Sequence, residues 1–419
     1  MTRCVVVGSG AREHALAWGL AQSTDVVVTP GNAGIAAHGL TCVDTPATQL
    51  DADLFVIGPE LPLTQGLADE LRAQGKLVLG PGRDGARLEA SKAFMKQFLH
   101  DAGVPTAHFG VFDQLDEALD FLVTMQPPYV IKTDGLAAGK GVLVTADFDE
   151  ACADVRDKLS GNAFGDAGTT IVIEEGLDGE ECSLLVLCDG VRGAALVPAQ
   201  DFKRVGDGDT GANTGGMGAY APMASMTSSA VDDVMARIVA PTLEELARRG
   251  IDFRGVLYAG VMMSSRGPQL LEYNVRFGDP ETEALVPLYG AGLYELLAAT
   301  ASGRLVEVPA TSGMSAVTVV LSSFGYPESP RRGDLISGLG EDGQLATSAP
   351  GVTIFHAGTT RDAAGRFLTH GGRVLAVTAV GDSLALARER AYAAAEQITF
   401  DGRVMRHDIA RSASQRSPT

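Results

Sequence analysis

Hydrophobic and polar positions along the chain fall into three regimes. Over residues 1–90, short apolar runs at 4–7, 26–29, 54–57 and 77–79 alternate with helical patterns such as 12–20. That alternation predicts a parallel sheet with crossover helices. From 91 onward the pattern predicts a helix over 91–102 with Ser91 as N-cap and a second over 113–123. A hairpin follows, whose apolar arms, Tyr129-Val130-Ile131 and Val142-Leu143-Val144, flank a long glycine-bearing loop. Two apolar strands are predicted between 169 and 187, joined by the acidic turn 174–181. From about 312, strands at 316–321, 352–356 and 373–380 and a helix over 383–397 predict a smaller α/β unit, with a frayed polar tail after Ile409.

Candidate chemistry concentrates at the hairpin loop. Lys132 and Lys140 stand at its mouth, and Gly135, Gly139 and Gly141 leave room for backbone N–H groups to approach a ligand. Such a loop suits a polyphosphate. Every lysine of the chain lies between residues 76 and 203, although Lys and Arg together number 33. Lysine is kept where a compact point charge differs from a planar fork. Lys92 sits in the first turn of its helix, where the dipole disfavours a cation, so it needs an anion of its own.

The segment 269–283, QLLEYNVRFGDPETE, carries a second signal. On a strand of period two, Glu272, Asn274 and Arg276 share one face and Leu271, Tyr273 and Val275 the other. A carboxylate and an amide oxygen at i and i+2 suit Mg2+, which keeps waters and phosphate oxygens for its other positions. A half-exposed strand would show the same alternation, so the pattern leaves both readings open. The glycine-rich stretch 200–220 is too long a loop to be idle in a compact domain.

Other signals exclude. Gly8-x-Gly10-x-x-Glu13 has a glutamate where the dinucleotide fingerprint wants a third small residue, and no ribose-binding acid follows the second strand. The net charge of −19 argues against nucleic acid, while cations gathered in one cleft would still serve a small anion. Five cysteines without a C-x-x-C pair fit reduced thiols. With no signal-peptide core and no apolar run near ~18 residues, a soluble cytoplasmic protein without a membrane span is expected.

The motifs GSGAREHALAW (8–18), PGNAG (30–34), SKAFMK (91–96), KTDGLAAGKGV (132–142), EEGLDGEE (174–181), QDFKRVGDGDTGANTGGMGAY (200–220), EYNVRFGDPETE (272–283), HAGT (356–359) and GGRVL (371–375) resemble, in order, those of the phosphoribosylamine–glycine ligases. These are glycinamide ribonucleotide synthetases of the ATP-grasp superfamily. The resemblance implies an N-terminal parallel-sheet α/β domain over 1–90 that binds substrate. It also implies an α+β ATP-grasp module of two subdomains over 91–311, with a lid over about 120–187, and a small C-terminal α/β domain over 312–419. The implied reaction joins glycine to 5-phospho-β-D-ribosylamine with ATP and Mg2+ or Mn2+, in a monomer without nucleic-acid or membrane partners. It needs no protein nucleophile, since phosphoryl transfer to a carboxylate asks mainly for positioning and charge neutralisation.

By position in the motifs, Lys92, Lys132, Gly139 and Lys140 would hold the phosphates. Glu174, Glu175 and Leu177 would line the adenine, and Glu181 the ribose. Glu272 and Asn274 would bind the metal. Arg276 and Asp201, with Lys140, would act at the γ-phosphate and glycine, while Gly10, Arg12, Asn32 and Glu60 would receive the phosphoribosylamine. Phe202 stands where histidine is frequent in the family, and Val261-Met262-Met263 offers no additional metal carboxylate.

Overall fold

The computed structural model describes residues 2–135, 141–160 and 170–415. The first unit is the expected parallel sheet. Strands Arg3–Gly8, Asp25–Pro30, Thr41–Cys42, Leu54–Ile57 and Val78–Leu79 run in the order third, second, first, fourth, fifth. Helix Ala11–Leu20 is buried along almost its whole length. It packs against helix Glu281–Tyr289 at Gly19, where a Cβ would lie 2.4 Å from Val286 Cγ1.

A second, antiparallel sheet orders Phe109–Phe112, Ile171–Glu175, Tyr129–Thr133 and Val142–Thr145. Its core, including Leu122, Ile131, Val155 and Ile173, is separate from the main one. The span of about 120–187 expected as a lid is divided between sheets: this one also takes in Phe109–Phe112, while Glu180–Asp189 belongs to a third sheet ordered Gly193–Ala195, Glu180–Asp189, Arg254–Ser264, Gly267–Asn274. The two strands predicted across 169–187 thus part company after Glu175. Gly179, at φ +153, allows the turn, since a side chain there would meet Met263 O at 2.3 Å.

The fourth sheet orders Gln200–Asp201, Gly218–Ala221, Ser315–Ser322, Arg373–Gly381 and Val352–His356, with helix Leu384–Ala395 packed on it. It straddles the boundary expected at 312, because two of its strands come from the glycine-rich stretch. Among the described residues the tail is not frayed just after Ile409: Ile409 and Ala410 are buried, and Arg411–Ser414 is helical. Arg388 holds it by donating Nε–H to Ile409 O at 2.9 Å. All five cysteines are free thiols. Against expectation, one helical stretch, Glu281–Ala301, is long and apolar enough to cross a membrane by length and composition, but half of it is buried inside the protein.

Candidate active site

The turn that opens the chain is filled by its own glutamate. Glu13 accepts the Gly10 backbone N–H and the Arg12 Nε–H, each at 2.6 Å. Gly8 and Gly58 are required beneath it, since a Cβ would lie 2.6 Å from Glu13 Cδ and 2.0 Å from Glu13 Oε1 respectively. The Gly10 N–H is thereby taken by the chain's own carboxylate. Asn32 is likewise spent. Its Oδ1 caps a short helix by accepting from Gly34 and Ile35, and its Nδ2 donates to Ser9 O and His356 O at 2.8 Å. Gly10 and Asn32 are not among the residues that line the cleft. Arg12 and Glu60 face it.

The site is a cleft of about 1230 Å³ between the sheets. Arg12, Glu60, Lys92, Lys132, Leu177, Glu181, Asp201, Glu272, Asn274 and Arg276 all line it. Gly139 and Lys140 lie outside the described residues.

Strand Gly267–Asn274 contributes the central wall, with a departure from strict alternation. Gly260 pairs with Glu272 but Val261 with Leu270, so Leu271 is an extra residue, a bulge. Leu270 is buried while Leu271 and Glu272 both reach the cleft. The expected apolar face of Leu271, Tyr273 and Val275 thus holds only for Tyr273 and Val275, and the bulge adds an apolar patch beside the carboxylate. Beyond the strand, Arg276 donates to Asn274 Oδ1 (3.1 Å), Glu89 Oε1 (2.8 Å) and Phe277 O (3.2 Å). Burial pushes Glu89 up despite Arg276. At Glu60, 3.6 Å from the Arg276 Nε, burial is outweighed and the carboxyl is held below its usual range.

Cations surround Glu272. Lys203 pairs with Glu181 and reaches Glu272 at 3.4 Å. Lys203 first, then Lys132 and Lys92, hold the Glu272 carboxyl down to about 2 against burial. Glu272 is therefore ionised, and with 38% of its side chain exposed it remains open to the cleft. Lys203 went unassigned in the sequence, although its place in the glycine-rich stretch marked it. Asp201 behaves oppositely: burial, with Glu281, Glu181 and Glu272, raises its carboxyl well above the usual range over the pull of Lys203.

Lys92 begins helix Lys92–Ala102, where Ser91 accepts the Phe94 N–H as predicted. Asp134 sits at this helix start, accepting the Ala93 N–H at 3.1 Å, and Lys92 Nζ donates to Gly135 O at 3.1 Å. Lys132 lies 2.9 Å from Glu174 Oε1. Glu174 and Glu175 do not present their side chains to the cleft. Glu174 is buried between Lys132 and Lys96, and Glu175 is held by Arg266 and the His108 N–H. Gly176 and Leu177 line the cleft after them.

The C-terminal sheet also reaches the site. Arg373 donates to Gly215 O and to Asp279 O (2.8 Å) and pairs with Asp279 Oδ2 (3.2 Å), fastening the glycine-rich stretch to the Asp279-Pro280 turn. Sequence reasoning missed it, because nothing in GGRVL says which distant loop its arginine meets. Phe202, where a polar residue was usual, stacks under the buried Arg406 guanidinium, 4.9 Å away. Among the described residues no cluster of three acidic, histidine or cysteine ligands could hold a metal. Glu272 and Asn274 nevertheless fit a hard divalent cation that takes its remaining ligands from phosphates and water.

Residues 2–89, 90–282 and 316–412 match the N domain, the ATP-grasp (A) domain and the C domain of phosphoribosylglycinamide synthetase. Phosphoribosylamine–glycine ligases of Caulobacter vibrioides and Synechocystis sp. are 45% and 46% identical, each over 98% of this chain and 98% and 100% of their own lengths. The crystal structure of phosphoribosylamine–glycine ligase from Thermotoga maritima superposes with a TM-score of 0.82 at 34% identity, covering 97% of this chain and all of that one. The biotin carboxylase domain of Hydrogenobacter thermophilus 2-oxoglutarate carboxylase shares the fold, with a TM-score of 0.72 at 15% identity. The chain belongs to the phosphoribosylglycinamide synthetase family.

Proposed function

We propose that this chain joins glycine to 5-phospho-β-D-ribosylamine, converting ATP to ADP and phosphate through glycyl phosphate and yielding glycinamide ribonucleotide for purine synthesis. One observation carries the reading: Lys92 on a helix, Lys132 on a hairpin strand, and Glu272, Asn274 and Arg276 at the end of another strand all line one cleft. Lys92 and Lys132 hold the phosphates. Leu271 and Leu177 give the adenine an apolar bed, and Glu181 accepts from the ribose hydroxyls. Arg276 orients the glycine carboxylate toward the terminal phosphoryl group, and charge neutralisation makes that inert carboxylate reactive. Mg2+ or Mn2+ on Glu272 and Asn274 would supply further positive charge at the phosphates. Arg12 and Glu60, on the first unit, receive the sugar phosphate and bring its amine to the activated carboxyl. Asp201 stands beside Arg276 at the γ-phosphate and glycine. Lys140, outside the described residues, adds a further cation for the phosphates.

The free thiols suit the reducing cytoplasm. ADP release by the purified protein tests the reading, with glycine and phosphoribosylamine added separately and together. Release only with both supports it. Release with formate and the ribonucleotide, and none with glycine and phosphoribosylamine, overturns it.

A further inference from the structure

Behind Lys132 stands an ammonium group that no ligand in the cleft can reach. Lys96, on helix Lys92–Ala102, is fully buried. Its Nζ lies 2.9 Å from Glu174 Oε2 and donates to Thr106 Oγ1 at 2.7 Å, which in turn donates to Leu270 O at 2.7 Å. Lys132 Nζ lies 2.9 Å from the other oxygen, Glu174 Oε1, without forming an aligned hydrogen bond to it, and donates weakly to Leu271 O at 3.4 Å. One carboxylate therefore serves two ammonium groups, and the trio carries a surplus positive charge. Of the three, only Lys132 opens on the cleft.

The arrangement is costly as mere scaffolding. A third buried charge brings a desolvation penalty that an apolar side chain of the same length would avoid. Burial pulls the Lys96 ammonium down to about 8, with Glu174 opposing and Lys132 adding to the pull. Its effect lies in the balance of charge. Without Lys96, Glu174 would cancel Lys132 one for one, and the hairpin lysine would close on a buried carboxylate.

We propose that Lys96 is a positioning residue for nucleotide binding: by sharing Glu174 it leaves Lys132 with an uncancelled positive charge directed at the polyphosphate in the cleft. This rests on the nucleotide reading of the cleft given above. It predicts that phosphate recognition depends on a side chain the nucleotide never touches.

Calorimetric titration of the full chain with ATP and with adenosine separates phosphate from base. Lys96→Met is expected to weaken ATP at least about 10-fold while changing adenosine by less than about 2-fold, since a unit charge is lost near the phosphates and nothing near the base. Lys96→Arg keeps the charge and is expected to restore ATP binding. Lys96→Gln, which retains a donor for Thr106, gives the same split if the Met variant does not fold. Unchanged ATP affinity in Lys96→Met, or ATP and adenosine weakened in parallel, overturns the proposal. Lys132→Met separates the two levels: if it binds ATP as tightly as the parent, the nucleotide reading itself fails. If it is weakened while Lys96→Met is not, only the role of Lys96 fails.

Discussion

The turn at Gly8–Glu13 and the strand end at Glu272–Arg276 carry the same kinds of group, and the fold uses them in opposite ways. At the first, a carboxylate, an arginine and a helix N-terminal amide satisfy one another. Glu13 takes both the Gly10 N–H and the Arg12 Nε–H, and Asn32 nearby spends its whole amide on a cap and two carbonyls. At the second, Glu272 meets only the end of Lys203 at 3.4 Å, Asn274 Oδ1 takes one guanidinium proton, and both face the cleft. What distinguishes a scaffold from a site here is unspent bonding capacity. Residue type does not separate them.

That contrast can be broken from either side. The largest effect is expected at the open end: Glu272→Gln should cut turnover at least ~100-fold while leaving ATP binding largely intact, because a metal-held carboxylate acts on charge developed in the transition state. Steady-state rates beside calorimetric ATP affinity check it, and unchanged turnover would remove the metal role.

At the spent end the effects should be on stability. Gly58→Ala would force a methyl group to within 2.0 Å of Glu13 Oε1, and overpacking of this kind costs about 1–3 kcal/mol. Thermal melting measures it, and a melting temperature equal to the parent's would mean that Glu13 is free to move. The same region joins the first unit to the C-terminal sheet through buried histidines. His14 Nδ1 accepts the His356 N–H at 2.9 Å, and burial draws the His356 imidazole down to about 4. An unfolded histidine titrates near 6.5, so between about 6.5 and 4 the unfolded chain binds the extra proton. Stability is full above 6.5 and falls with acidification, on the order of 1–2 kcal/mol by pH 5. An NMR titration of His356 with a midpoint near 6.5 would contradict this. The smallest effect belongs to Asn32→Ala, which removes a helix cap worth about 1 kcal/mol. Its signature is lower melting with substrate KM values unchanged, and a raised KM for phosphoribosylamine would return Asn32 to the binding site.

Much of this was legible along the chain. Apolar runs in the first 90 residues marked strands of the parallel sheet, and Ser91 marked a helix start that forms as read. Local rules governed both. The misreadings arose where one residue's meaning depended on a distant partner. The bulge at Leu271 reverses one step of the alternation, and only pairing with Gly260 and Val261 reveals it. The Glu174 carboxylate is claimed by two lysines 78 and 42 residues upstream, a pairing its motif does not announce. Lys203 and Arg373 enter the site from stretches whose neighbours are set by sheet topology. Such partners leave no periodicity to read.

The convergence of cations and one divalent ion on a nucleotide's terminal phosphoryl group is tested most directly by a crystal structure of the protein with a non-hydrolysable ATP analogue, Mg2+ and glycine. The cleft geometry predicts Mg2+ at about 2.1 Å from Glu272 and Asn274 oxygens, with Lys92 and Lys132 on the phosphates and Arg276 between the γ-phosphate and glycine. A triphosphate bound away from Glu272 and Asn274, with Lys132 still closed on Glu174, would contradict it.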